Sequence, residues 1–67
     1  MKYSIDINSK ESAYIQLYKQ IRHDIINSVY KFGDRLPSKR MLAEETMSSV
    51  ITVEHAYEIL CDEGYVE

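Results

Sequence analysis

His55, Glu58 and Asp62 recur at three- and four-residue steps, which lines them up on one face of a helix where an imidazole and two carboxylates could hold a divalent metal. The segment around them is acidic throughout, so the same stripe reads better as solvated charge, and the Cys-x-x-Cys pairs of a structural zinc site are absent. Cys61, the only cysteine, lies six positions from His55. That offset puts the two on different faces of a helix and forms no nucleophile and base pair. A lone cysteine also excludes an intrachain disulfide and fits a reducing cytoplasm. With no glycine-rich phosphate loop either, the chain offers no catalytic residue, no metal site and no cofactor site of its own.

A second set of residues suits binding. Leu36-Pro37-Ser38-Lys39-Arg40 places a capping serine and two cations at a helix start, where free amides and the positive end of the helix dipole attract a phosphate. The plainer alternative is that Ser38 only caps and Arg40 pairs with Glu44, four residues on. Arg35 adds a cation just ahead of this start. Ser49, Val50, Ile51, Thr52, Glu54 and His55 would then face outward from the next helix. There Ser49 and Thr52 can donate to phosphates or bases, Ile51 can touch a thymine methyl, and Glu54 can accept from cytosine N4. His55 can gain charge beside a phosphate. A solvated face is the competing reading for Glu54 and His55.

Charge works against that partner. All eight basic residues lie in the first forty positions, and everything after Arg40 carries Glu44, Glu45, Glu54, Glu58, Asp62, Glu63 and Glu67 with no lysine or arginine. The net charge is −3, where a nucleic-acid binder is expected to show a basic footprint. Lys19, Arg22, Arg35, Lys39 and Arg40 could still gather on one positive side.

The elements that must position these groups follow from periodicity. Tyr3, Ile5 and Ile7 alternate with polar residues and predict a short extended arm over residues 1–12, broken by turn and capping chemistry at 8–12. From Ala13 the period lengthens: Tyr14, Leu17, Tyr18, Ile21, Ile25 and Val29 predict an amphipathic helix of about four turns, with Ile15 and Ile26 widening its apolar stripe. Phe32 to Pro37 forms a connection, with Gly33 permitting a turn and Pro37 ending any helix before it. A brief helix over 39–46, a turn at Met47-Ser48, and a third helix capped by Ser49 and stopped by Gly64 complete a helix-turn-helix. The third helix should bury Val53, Ala56, Tyr57 and Leu60 and turn Ile51, Glu54, His55, Glu58 and Asp62 outward. Tyr14, Tyr18 and Tyr57 fall on apolar stripes and so suit core packing with the hydroxyl at the edge, not a stacking platform for single strands. No apolar run approaches the length of a membrane span, and 67 residues make one domain at most. Gly64 to Glu67 reads as the start of a strand without a partner, as in a fragment of something longer.

Three stretches together resemble a known family: Gln16-Leu17-Tyr18-x-Gln20-Ile21-Arg22; Gly33-Asp34-x-Leu36-Pro37-Ser38-x-Arg40-x-Leu42-Ala43; and Thr52-Val53-x-x-Ala56-Tyr57-Glu58-x-Leu60-x-x-Glu63-Gly64-Tyr65. They are similar to the N-terminal winged helix-turn-helix of GntR-type bacterial transcription regulators, from about Tyr14 to the end. The resemblance implies a mainly α, three-helix winged helix-turn-helix over residues 13–67, with a wing hairpin beginning near Tyr65 and largely missing from this chain. It implies a non-enzymatic domain that binds double-stranded operator DNA as a homodimer, with a small-molecule effector bound in a separate C-terminal domain. The Ala-Tyr-Glu-x-Leu-x-x-Glu-Gly-Tyr run is most similar to the MocR-like branch, whose further domain is aminotransferase-like and binds pyridoxal phosphate. The YtrA-like branch, with small effector domains, also carries Ala-Tyr here.

The chain departs from the family pattern at the reading head. Val50 stands where most relatives have an arginine, Ile51, Glu54 and His55 replace residues that are often threonine or arginine, and Met47 occupies a turn position that commonly holds glycine. These departures motivate a competing reading: a winged-helix module kept for protein association, presenting Val50 and Ile51 inside an acidic rim with DNA binding weakened or lost.

Overall fold

The computed structural model describes residues 3–31 and 34–66. The turn expected at Phe32-Gly33 lies outside the described residues. Three helices form the domain: α1 (Ala13–Ile26), α2 (Lys39–Thr46) and α3 (Val50–Asp62), with no strand among the described residues. α3 packs against both α1 and α2. The core is Leu17, Tyr18 and Ile21 from α1, Leu42 and Ala43 from α2, and Val53, Ala56 and Leu60 from α3, joined by Tyr3 from the arm.

Two expectations for α1 fail at its C-terminal end. Ile26 is largely exposed, because at about 100° per residue nine steps carry it roughly opposite Leu17. Val29 is not helical at all, since Ser28 turns left-handed (φ 62°) and the Ser28 and Val29 amides close back onto the Ile25 and Asp24 carbonyls. At the other end Ser12 makes no side-chain cap, and only its carbonyl enters the helix, accepting from Ile15 and Gln16.

All three helices stop by the same device, a left-handed residue whose own amide and the next amide bond backward onto the last turn. In α2 the residue is Met47 (φ 56°), with Met47 and Ser48 donating to Glu44 and Ala43. In α3 it is Gly64 (φ 83°), with Gly64 and Tyr65 donating to Cys61 and Leu60. This closure consumes the Tyr65 amide. No strand begins at Tyr65 or Val66, contrary to the sequence pattern, because the ladder that would hold one has no partner among the described residues.

The arm is held by two glutamines of α1. The Gln20 side-chain amide bonds both ways to Ser4 (Ser4 N–H to Oε1 3.2 Å, Nε2 to the carbonyl 2.7 Å), and Gln16 does the same for Asp6 (2.8 and 3.1 Å). An i, i+4 step on a helix spans about 6 Å, close to the two-residue step of an extended strand, so two glutamine amides imitate a neighbouring strand. Tyr3 is thereby set into the core, its hydroxyl donating to Asp24 at 2.6 Å and lying 2.6 Å from the Tyr30 hydroxyl. The alternation ends at Ile7, which is exposed, because Asp6 already starts a turn by accepting from Asn8 and Ser9.

A left-handed conformation costs a side-chain-bearing residue about 1–2 kcal/mol. The Met47 side chain is 92% exposed and gives up no packing, so Met47→Gly should raise stability by about 0.5–1 kcal/mol after the added flexibility of the unfolded chain is subtracted. A Cβ on Gly64 would meet nothing within 4 Å, so Gly64→Ala should lower stability by about 1 kcal/mol through backbone strain alone. Urea midpoints of the two variants should therefore move in opposite directions.

Candidate nucleic-acid interface

Two serine caps define the site. The Ser38 hydroxyl accepts from the Met41 amide at 3.1 Å and opens α2; the Ser49 hydroxyl accepts from the Thr52 amide at 3.1 Å and opens α3. Both caps leave helix-start amides at the surface, with Ser38, Lys39, Arg40, Ser49, Val50 and Ile51 all exposed. Between them the Thr46 hydroxyl donates to the Leu42 carbonyl at 2.8 Å and meets the Ser48 hydroxyl at 2.8 Å, which fixes the turn.

Tyr57 couples the two starts. From the middle of α3 its hydroxyl donates to the Pro37 carbonyl at 2.7 Å, so the residue just before the α2 cap is bonded to the helix carrying the second cap. Burial, and then the nearby Tyr30, push the Tyr57 hydroxyl up to about 12 from its ordinary 10.

The cations divide into committed and free. Lys19 bonds to Glu11 on the arm side of α1. Arg22 donates to the Tyr18 hydroxyl at 2.9 Å and lies over the same ring at 4.9 Å, while Tyr18 itself donates to Glu63 beyond the end of α3. Lys19 and Arg22 are thus already engaged, so the five cations expected on one positive side are not all free. Lys39 pairs with Glu54 at 3.5 Å, both half exposed, a contact worth at most about 1 kcal/mol. Arg35 and Arg40 make no hydrogen bond or ion pair among the described residues, and the alternative Arg40–Glu44 pair is not formed.

His55 is exposed, as its place in the helical period requires, and its ring also stacks on Tyr14 of α1, with centroids 3.9 Å apart and planes within 7°. Tyr57 is half-buried, not fully buried like Val53, Ala56 and Leu60. Glu54 is half-buried beside Lys39. The Ser49 and Thr52 hydroxyls lie 3.0 Å apart and bond to each other. Val50 and Ile51 remain uncommitted. Sequence reasoning missed the His55–Tyr14 and Lys39–Glu54 partners because each joins residues far apart in the chain. For the glutamine clamp, the i, i+4 spacing of Gln16 and Gln20 was the available signal. No group of three or more His, Cys, Asp or Glu is gathered for a metal among the described residues, and no described helix is long and apolar enough to cross a membrane.

A capped short helix, a left-handed turn and a second capped helix held by a cross-helix tyrosine make a helix-turn-helix, and the family model described as bacterial regulatory proteins, gntR family, matches residues 13–67. The chain belongs to the GntR family. The solved structure of YtrA from Sulfolobus acidocaldarius, a GntR-family transcription factor, superposes with a TM-score of 0.88 at 41% identity, covering 96% of this chain and 68% of that one. The chain is 43% identical over 63 residues to the uncharacterized HTH-type transcriptional regulator YhdI of Bacillus subtilis, covering 94% of itself and 13% of that protein. It is 36% identical over 63 residues to the HTH-type transcriptional repressor YtrA of Bacillus subtilis, covering 48% of that protein. This GntR-family chain thus spans a minor part of the curated relatives' length, and it corresponds to the helix-turn-helix DNA-binding domain of a transcription regulator.

The raised Tyr57 value has a defined sign. Folding favours the neutral phenol, so its contribution is complete below about pH 10 and is lost as pH rises towards about 12. Tyr57→Phe should cost about 1 kcal/mol at neutral pH, the net worth of the bond to Pro37, and should show a shallower alkaline decline. Tyr3, whose hydroxyl is also pushed up by burial and by Asp24, and Tyr18, pushed up first by its bond to Glu63, should supply the decline that remains. Urea titrations at neutral pH and between about pH 10 and 12 distinguish the two contributions.

Proposed function

We propose that this GntR-family domain binds duplex operator DNA through the helix-turn-helix at 38–63, as one head of a homodimeric transcription regulator. Arg40, Lys39 and Ser38 hold the phosphate backbone, Arg35 adds a contact from the preceding loop, and the first turn of α3, residues 49–52, enters the major groove. Glu54 and His55 take the weaker parts, the first neutralised by Lys39 and the second parked on Tyr14. The observation that carries this reading is the family match over residues 13–67 on a chain whose Arg40 stands exposed and unpaired in the first turn of α2, among the described residues.

The same reading extends to a palindromic or repeated operator and to a small-molecule effector held outside this chain. A relative described as the probable rhizopine catabolism regulatory protein MocR of Rhizobium meliloti is 36% identical over 63 residues, of which this chain covers 13%, so the MocR-like and YtrA-like arrangements both fit. Pyridoxal phosphate, in the first arrangement, would be bound by a further domain.

Exposed Ile51, Met47 and Met41 favour a second reading, in which the same face meets a protein. Particle size of the chain against its Val50→Ser/Ile51→Ser variant, in low and high salt, separates the two. A monomer that binds duplex DNA supports the first, and an assembly dispersed by the double substitution supports the second.

In anisotropy titrations on a duplex enriched from a random library, Arg40→Ala should weaken binding several-fold. It should also flatten the dependence of log affinity on log salt by about 0.9 for each phosphate that the arginine had neutralised. Unchanged affinity and slope would remove Arg40 from the interface.

A further inference from the structure

Sequence-specific proteins read guanine with arginine or lysine and adenine with asparagine or glutamine, each through a pair of hydrogen bonds to the base edge. No residue after Arg40 is any of these four, so α3 lacks every side chain that makes the two commonest purine contacts. The polar groups of its first two turns are already engaged. Ser49 and Thr52 bond to each other at 3.0 Å, and a hydroxyl does not discriminate among bases. Glu54, the carboxylate nearest the start of α3 and an acceptor suited to cytosine N4, is paired with Lys39 at 3.5 Å, and His55 is stacked on Tyr14 at 3.9 Å. What the first turn of α3 offers outward is aliphatic: Ile51, 75% exposed, and Val50, 41% exposed.

One feature of the major groove answers an aliphatic side chain, the 5-methyl group of thymine. We infer that this domain takes its base specificity from thymine methyl groups, contacted by Ile51 and Val50, and makes no bidentate purine contact from α3. The inference rests on the proposed DNA-binding function and narrows it to a substrate class: half-sites with thymine at the positions facing the start of α3. Phosphate contacts from Arg40, Lys39 and Ser38 hold the register, and the methyl contacts supply the discrimination. Burial of Ile51 against a methyl also removes apolar surface that the free domain leaves in water.

The test separates methyl readout from DNA binding as such. A duplex enriched from a random library by the 67-residue chain is remade with each thymine replaced singly by deoxyuridine, which deletes only the methyl. At one or two thymines affinity should fall about fourfold per methyl removed, the transfer value of one buried carbon. The same replacements should have little effect on the Ile51→Ala or Val50→Ala chain, because the side chain that meets the methyl is already absent. Both side chains lie outside the core, and the wild-type arm of the experiment needs no variant. Equal affinity for every uracil duplex overturns the inference and leaves DNA binding standing. Equal losses in wild type and both alanine chains also overturn it, assigning the effect to the duplex itself. Enrichment of no duplex, with no binding at low salt, overturns the DNA-binding reading and this inference with it.

Discussion

Val53, Ala56 and Leu60 form a fully buried ridge on α3 that serves two neighbours at once, since α3 packs on both α1 and α2. A helix buried along one ridge has its opposite face decided for it. Packing those three residues therefore fixes which side chains of 49–52 reach outward, and it sets where Tyr57 can meet Pro37. The start of α2 is consequently bonded to a residue of α3, which ties the two capped helix starts together. Leu17 and Ile21 of α1 and Leu42 of α2 complete the same core, all without exposed surface. Each such side chain stabilises the fold by about 1.5–3 kcal/mol, a large share of the margin available to a small domain.

Around that ridge, side-chain hydrogen bonds tie the elements together. Tyr3, Asp24 and Tyr30 tie the arm to both ends of the first half; Tyr18, Arg22 and Glu63 tie α1 to the exit of α3. Of the cations, Arg22 and Lys19 are engaged by Tyr18 and Glu11, while Arg35 and Arg40 are uncommitted among the described residues. The acidity of α3 is tempered locally where Lys39 meets Glu54, and Glu58 and Asp62 lie farther along the helix from its start. A recognition helix without a cation can still approach phosphate if the neighbouring helix carries the charge, and here α2 does.

The parts of this architecture that depend on neighbours in sequence were readable from it. The bounds of α2, both serine caps and the stop at Gly64 follow from local capping chemistry, which needs only three or four residues to be satisfied. The end of α1 was not readable, because its left-handed stop falls on Ser28, a residue that carries no strong signal for one. His55 faces outward as its helical offset requires, but its stacking partner was not readable, because Tyr14 lies one helix away. The Lys39–Glu54 pair likewise joins positions 15 residues apart, where periodicity carries no information, and of the glutamine clamp only the i, i+4 spacing of Gln16 and Gln20 was visible. In the candidate interface, residue identities were legible and their commitments were not.

Amide chemical-shift mapping of the isotope-labelled chain, titrated with an enriched duplex at low salt, observes the proposed face directly. The largest changes should fall at 38–41 and 49–52, with Arg35 following and the buried Tyr3 cluster unmoved. Changes confined to Ile25, Tyr30, Cys61, Tyr65 and Val66, with Arg35 and the two serine-capped helix starts unmoved, would contradict the placement of DNA on α2 and α3.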